Sequence, residues 1–289
     1  MNPRLPPCEG SLIEEIDWES FKRFLNTSCC AKTVGDRLRY ARHYGFCLFN
    51  RDFSVLNTFS DSKRGHILKS LSLLSKFLGW HHDFQGLVKA YGLKWRNSNS
   101  EELILSRIQN TQENGSVIEW IKEVKAKLPQ FTEFIDFMAL SGLRFNETVR
   151  SYNLIVSLSA KRELKRYYDF ENKVLTHYNF KELFIRRTKK AFISYIPEDL
   201  IMRIGTKKRI STFQIYNAVK RKTLLKSRFG DIREYYATFM TKFLNPAEID
   251  FLQGRISASV FMRNYFNPML IGDLKKRALA GISKLKKEI

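Results

Sequence analysis

Three arginines, each next to a signal that ends or starts a helix, precede a tyrosine near the end of the chain: Arg144 in ALSGLRFNET, Arg233 in GDIREYYATF, Arg255 in LQGRISAS and Tyr265 in FMRNYFNP. Lys189 and Lys190 lie between the first two, in FIRRTKKAFIS. Breaking a phosphodiester without a metal requires a nucleophile, a compact set of cations for the charge that develops on the non-bridging oxygens, and an acid for the leaving 5′ oxygen. Arginine suits the second role, because its planar fork binds phosphate oxygens two at a time and keeps its charge. A tyrosine hydroxyl is a weak nucleophile until such a cluster stabilises the phenolate. Each of these residues also has a plain reading, since single arginines at helix ends are commonly solvated and Tyr265 has Phe261 and Phe266 as neighbours. The ordered set is what points to chemistry on a phosphate.

The charge balance agrees. The 289 residues hold 50 Lys and Arg against 29 Asp and Glu, a formal net charge of +21. Such an excess on a chain that is 44% hydrophobic and 13% aromatic describes a folded protein with a polyanionic partner, not a disordered one. Residues 161–233 alone carry 20 Lys and Arg against 7 Asp and Glu. A merely solvated face interleaves both signs, so this concentration predicts a phosphate-gripping surface.

Positioning these groups takes two domains, the count that the length favours. Apolar residues three and four apart predict helices in IDWESFKRFL, TVGDRLRYARHYGFCLF, SKRGHILKSLSLLSKFLG and FQGLVKAYG, with Thr33 and Ser60 or Ser62 as N-caps and Gly79 and Gly92 as stops. This gives an all-α domain over 1–96. Two polar clusters mark a linker over 97–116, and a second domain fills 117–289. In that domain TEFIDFMALSG ends at Gly142, which puts Arg144 at a helix corner, with Asn146 expected to cap the next helix and Glu147 in its first turn. VLTHYNF and KELFIRRTKKAFISYIP read as strands, the second as a hairpin with a basic tip at 188–190. Helices return after Pro197, through STFQIYNAVKRKTLLKS, NPAEIDFL and ISASVFMRNYF, to a basic amphipathic tail with Leu274, Ala278, Ile282 and Leu285 on one side. The expected class is mainly α with a small antiparallel β-sheet.

Other chemistries find little support. Cys8, Cys29, Cys30 and Cys47 fall in the first fifty residues without ligand spacing and read as reduced thiols. His81 and His82 beside Asp83 form a ligand fragment that nothing completes, so a surface loop is expected there and no metal site. The start MNPRLPPCEGSL has no apolar signal core, and no window is long and apolar enough for a membrane span. A cytoplasmic, nucleoid-associated protein is the expectation.

At this point the five motifs resemble, in order and spacing, the boxes of the tyrosine recombinases. The hairpin FIRRTKKAFIS and the ten-residue step from Arg255 to Tyr265 are most similar to archaeal plasmid and fusellovirus integrases. The resemblance covers about residues 130–272, and more loosely the N-terminal helices, which look like a core-binding domain. It implies that Tyr265 is the nucleophile, that Arg144 and Arg233 clamp the scissile phosphate, that Arg255 holds the second His/Arg position, and that Lys189 is the general acid with Lys190 as runner-up. Glu147 matches an acidic position that orients an arginine. One departure stands out: the HxxR or KxxR box reads Gly230-Asp231-Ile232-Arg233, so its first cation is missing, with Arg228 or Lys226 as nearby substitutes.

The resemblance further implies a double-stranded DNA partner at attachment sites, a homo-oligomer that forms a tetramer on DNA, a C-shaped clamp of the two domains, and no cofactor, metal or ATP. DNA contacts are expected from Lys32, Arg37, Lys63, Arg64 and Lys69 in the first domain and from Arg186, Arg187, Lys207 and Lys208 in the second. The alternatives are a type IB topoisomerase, which shares the chemistry, and a catalytically weakened DNA-binding relative.

Overall fold

The computed structural model describes residues 16–93, 101, 104–105, 108–109, 116–186, 189–225, 227–255 and 264–289, without the side chains of Lys32 and Met269. Cys8, Arg187, Thr188, Lys226, most of the segment 97–116 and the expected helix up to Arg263 lie outside the described residues. The chain divides into two compact units, residues 1–106 and 107–289.

In the first unit, α1 (Trp18–Asn26), α2 (Ala31–Tyr44), α3 (Phe46–Phe49), α4 (Asp61–Phe77) and α5 (His81–Ala90) enclose a core that includes Phe21, Leu25, Phe53, Leu71 and Phe84. Ser60 stands at the N-cap of α4, and Gly79 and Gly92 follow their helices with φ of 77° and 61°, the left-handed geometry that suits glycine. Two expectations are corrected. The N-cap of α2 is Cys30, because Val34 N–H already donates to the Cys30 carbonyl, which puts Thr33 inside the first turn. His81, His82 and Asp83 open α5 instead of forming a loop: Phe84 N–H donates to Trp80 C=O, and Asp83 sits where a helix start favours negative charge.

The second unit is built around α7 (Thr132–Ser141), which buries residues on every side, among them Phe134, Ile135, Phe137, Met138 and Leu140. Against it pack α6 (Val117–Lys127), α8 (Phe145–Ala160), α10 (Glu198–Gly205), α12 (Phe229–Met240) and α14 (Leu274–Glu288). A one-turn α9 (Lys181–Phe184), α11 (Thr212–Lys222) and α13 (Pro246–Leu252) complete the helices described. As the spacing predicts, α14 buries Leu274, Ala278, Ile282 and Leu285 against its own unit. The fold is mainly α with one small antiparallel sheet, as expected.

The sheet itself is not the one anticipated. Its strands β1 (Tyr168–Asp169), β2 (Val174–Thr176) and β3 (Ile193–Tyr195) lie in the order β1-β2-β3, with Tyr168 opposite Leu175 and Leu175 opposite Ser194. KELF is the helix α9, not a strand, because Phe180 and Phe184 are four apart and both rings pack on Tyr167, at 5.3 and 6.0 Å. Among the described residues the basic hairpin forms one antiparallel bridge, Ile185 to Lys190, and β3 pairs with β2 across the intervening helix.

A buried polar chain joins this sheet to α8. The Ser151 hydroxyl is hydrogen bonded to Tyr167 Oη at 2.7 Å, Tyr167 Oη to His177 Nδ1 at 2.6 Å, and His177 Nε2 to Ser194 Oγ at 2.9 Å. Burial pushes the His177 imidazole down from 6.5 to about 3. Between those values the unfolded chain takes up a proton that the folded chain refuses. Stability is therefore complete above pH 6.5 and falls as the pH drops towards 3, by about 1 kcal/mol per pH unit. Urea midpoints measured from about pH 7 to about pH 4 should fall more steeply for the wild type than for His177→Gln, which bonds without titrating. Parallel curves would show that His177 is not the group responsible.

Candidate active site

Three chain corners meet in the second unit, and each carries one of the arginines singled out by sequence. At the first, α7 ends on Gly142 with φ 61°, and the glycine lies so close to the Tyr236 ring that a Cβ would overlap it. The chain turns at once into α8, and Arg144 takes its N-cap position. Asn146, expected to be the cap, lies inside the helix, because Arg144 C=O already accepts from Thr148 N–H at 2.8 Å. The Arg144 guanidinium donates to both oxygens of Glu147, at 3.1 and 3.2 Å, and to the Lys190 carbonyl at 3.3 Å. Glu147 is fully buried and also accepts from Arg186 at 2.9 Å. A buried carboxylate is tolerable only when paired, so Glu147 fixes two guanidiniums in place. Arg144 still leaves a quarter of its side chain exposed, at 26%.

The second corner is the first turn of α12. Asp231 accepts from Arg228 N–H at 2.7 Å and from its guanidinium at 2.8 Å, which commits Arg228 to capping the helix. Gly230 beside it faces open space: a Cβ there would meet nothing within 4 Å. One turn later, Arg233 is only 7% exposed. Its Nη1 donates to Gly142 C=O at 2.7 Å and its Nη2 to Gln253 C=O at 2.6 Å. Both carbonyls belong to helix C-terminal caps, where the macrodipole is negative and favours a cation. Burial, followed by repulsion from Arg144 and Arg255, nevertheless lowers the Arg233 guanidinium from its ordinary value to about 9.

The third corner follows α13. Gly254, with φ 62°, packs so tightly on the Lys190 carbonyl that any Cβ would fall inside it. Arg255 N–H donates to Asp250 C=O at 2.7 Å, and its side chain, about half exposed, lies 3.8 Å from the Asp250 carboxylate. The turn that carries the two lysines is thus held at its base, where Arg144 and Gly254 both meet the Lys190 carbonyl. Phe192 adds a stacked contact with Phe251 on α13, 5.7 Å between centroids. Lys189 is exposed on this turn and Lys190 half-buried.

Tyr265 is exposed, with 73% of its surface accessible. Its neighbour Phe266 packs on Phe251, 5.9 Å away, which ties the tyrosine's segment to the helix leading into Arg255. The other tyrosines near the arginines are poor nucleophiles: Tyr236 is buried and pushed up by desolvation, and Tyr235 donates to Glu288 at 2.5 Å.

The structure therefore brings together Arg144, Arg233, Arg255 and the base of the Lys189–Lys190 turn. Among the residues expected to meet DNA, Arg186 shares Glu147 and Lys207 pairs with Glu133 at 2.9 Å, while Lys208 is exposed. In the first unit Arg37 donates to His66 C=O at 3.1 Å, Arg64 pairs with Asp61, Lys63 lies 3.7 Å from the Phe59 ring centroid, and Lys69 is exposed.

Two features escaped the sequence reading. Gln253 is fully buried against Arg233, where a polar residue after a helix gives no signal of its partner. On α11, Ile215 and Val219 turn inward while Phe213 and Tyr216, exposed at 75% and 57%, share the outer face with Lys220. Helical spacing carries the signal of that face, since 213, 216 and 220 fall on one side of the helix and 215 and 219 on the other.

Among the described residues no group of three or more His, Cys, Asp and Glu is placed to hold a metal ion, and no helix is long and apolar enough to cross a membrane. A family model described as archaeal phage integrase matches residues 109–279, more than half of the chain and the whole of the span from Arg144 to Tyr265. No curated protein matches the sequence.

Proposed function

The chain belongs to the archaeal phage integrase family, and from that premise we propose that it is a site-specific integrase acting as a tyrosine recombinase, with Tyr265 as nucleophile. Tyr265 Oη attacks the scissile phosphorus, the bond from phosphorus to the 5′ oxygen breaks, and the DNA is left joined through a 3′-phosphotyrosyl linkage. The phenol proton passes to water, and Lys189 gives its proton to the departing 5′ oxygen. A 5′ hydroxyl from the partner duplex then attacks the phosphotyrosine, returns a proton to Lys189 and releases Tyr265, which is reprotonated from water, so the bond count is unchanged and no energy source enters the step.

The observation that carries this reading is the bridge made by Arg233. A guanidinium has five N–H donors, and Arg233 uses two of them on the corners of Arg144 and Arg255. Three remain to face a phosphate, in a cluster whose like charges are relieved when an anion arrives. Gly230 removes a further cation that the resemblance would place there, and Arg228, exposed and paired with Asp231 at the start of the same helix, is the nearby substitute.

Duplex DNA is the partner, engaged as attachment sites by a tetramer. The outer face of α11 suits a groove: Lys208 and Arg209 just before the helix and Lys220 on it supply cations, and Phe213 and Tyr216 offer apolar contact with base edges.

On a nicked suicide substrate, wild-type protein should accumulate a covalent protein–DNA adduct, and Tyr265→Phe should form none while keeping its affinity for the site. Equal adduct from the variant would remove Tyr265 from the mechanism, and no adduct from the wild type would favour a weakened DNA-binding relative.

The acid is separable from the clamp. Lys189→Ala should cut ordinary DNA far more slowly, yet cut a substrate with a 5′-bridging phosphorothiolate at close to the wild-type rate, because the sulfur leaves without a proton. Arg144→Ala should gain nothing from that substrate, since charge on the non-bridging oxygens develops in both cases. Rescue of Lys190→Ala alone would transfer the role to Lys190.

A further inference from the structure

Gln253 spends a fully buried amide on a place where an apolar side chain of the same length would fill the space. Its carbonyl oxygen Oε1 is buried with no hydrogen-bond partner among the described residues, a cost that packing alone does not justify. What the side chain gains is one bond: Nε2 donates to the Arg233 main-chain carbonyl at 3.0 Å. The main chain returns the contact, since Arg233 Nη2 donates to the Gln253 carbonyl at 2.6 Å. Residues twenty apart in sequence are thus joined twice, side chain to main chain in each direction.

Geometry makes this pair more than one contact among many. Gln253 caps α13, and the two residues after it are the tightly packed Gly254 and then Arg255. Arg233 lies in the second turn of α12 and reaches Gly142, two residues before Arg144. The guanidinium bonds to the Gly142 and Gln253 carbonyls hold the tip of the Arg233 side chain but not the main chain from which it starts. The bond from Gln253 Nε2 to the Arg233 carbonyl ties that main chain to the end of α13, and so sets the direction in which the remaining donors point.

We propose that Gln253 is a positioning residue, whose side-chain amide sets the angle between the Arg233 and Arg255 guanidiniums so that both face one phosphate. The inference rests on the recombinase reading for its rate consequence, but the positioning itself is a property of the protein without DNA. Gln253→Met keeps the length of the side chain and removes the donor. Gln253→Glu keeps the shape and places a carboxylate oxygen against the Arg233 carbonyl.

Two measurements on the full chain decide it. In single-turnover cleavage of the nicked substrate at saturating DNA, Gln253→Met should be slowed roughly 10- to 100-fold, below the loss typical of a direct transition-state donor. DNA affinity should stay within about twofold and the melting temperature within about two degrees, as for a change that alters only orientation. In the DNA-free protein labelled with 15N-arginine, the Arg233 guanidinium signals, identified by their absence in Arg233→Lys, should be resolved in the wild type. They should broaden or merge in both Gln253 variants as the guanidinium begins to rotate. Wild-type cleavage by Gln253→Met, or a rate loss accompanied by a fall in melting temperature well beyond those two degrees, would overturn the proposal. So would unchanged Arg233 signals. If the wild type itself fails to cleave, the recombinase reading falls, and the arginine signals still decide whether Gln253 holds Arg233.

Discussion

The Arg233 guanidinium is buried between the C-terminal ends of two helices and bonded to a carbonyl of each, Gly142 C=O after α7 and Gln253 C=O after α13. Helix ends leave such carbonyls without partners inside their own helix, and a cation is the natural complement to both the lone pairs and the macrodipole. Arg144 and Arg255 follow those two carbonyls by two residues each. The packing of α12 on α7, and the bonds between α12 and the end of α13, therefore determine how three guanidiniums are spaced, and the central α7 supplies a platform buried on every side. Two glycines make the approach possible. Gly142 admits the Tyr236 ring and Gly254 admits the Lys190 carbonyl, each in a backbone conformation that side chains rarely adopt.

This arrangement is unfavourable in the free protein. Arg233 is desolvated and repelled by both neighbours, which is why its guanidinium is lowered to about 9. Glu147 offsets part of the excess by accepting from Arg144 and Arg186, and its charge acts favourably on Arg233 without cancelling the repulsion. A site that holds like charges together before its ligand arrives is preorganised for an anion, and the strain is released only when charge of the opposite sign is bound.

Much of this was legible in the sequence, and the reasons are particular. Gly142 after a run of apolar helix announces a left-handed stop, so the Arg144 corner follows from residue type alone. The amphipathic tail was equally clear, because Leu274, Ala278, Ile282 and Leu285 repeat at helical spacing and bury one face. The hairpin was misjudged. Phe184 and Ile185 have strand preferences, but the contact of Phe180 and Phe184 with the Tyr167 ring, a tertiary event, selects a helical turn for KELF. Gln253 was invisible for a different reason, since its role depends on a partner twenty residues away that no local pattern encodes. The caps at Cys30 and Arg144 show a third limit: side chains that suit a cap, Thr33 and Asn146, were overruled by where the main chain closes its first hydrogen bond.

If the three arginine corners converge on one phosphate in line with Tyr265, the structure of the protein on a nicked attachment-site duplex will show it most directly, with vanadate bound at the nick as a mimic of the five-coordinate phosphorus. Tyr265 Oη should then occupy one apical position, with guanidinium nitrogens of Arg144, Arg233 and Arg255 at about 3 Å from the equatorial oxygens. Vanadate held without Arg233, or with Tyr265 away from the apical position, would contradict it.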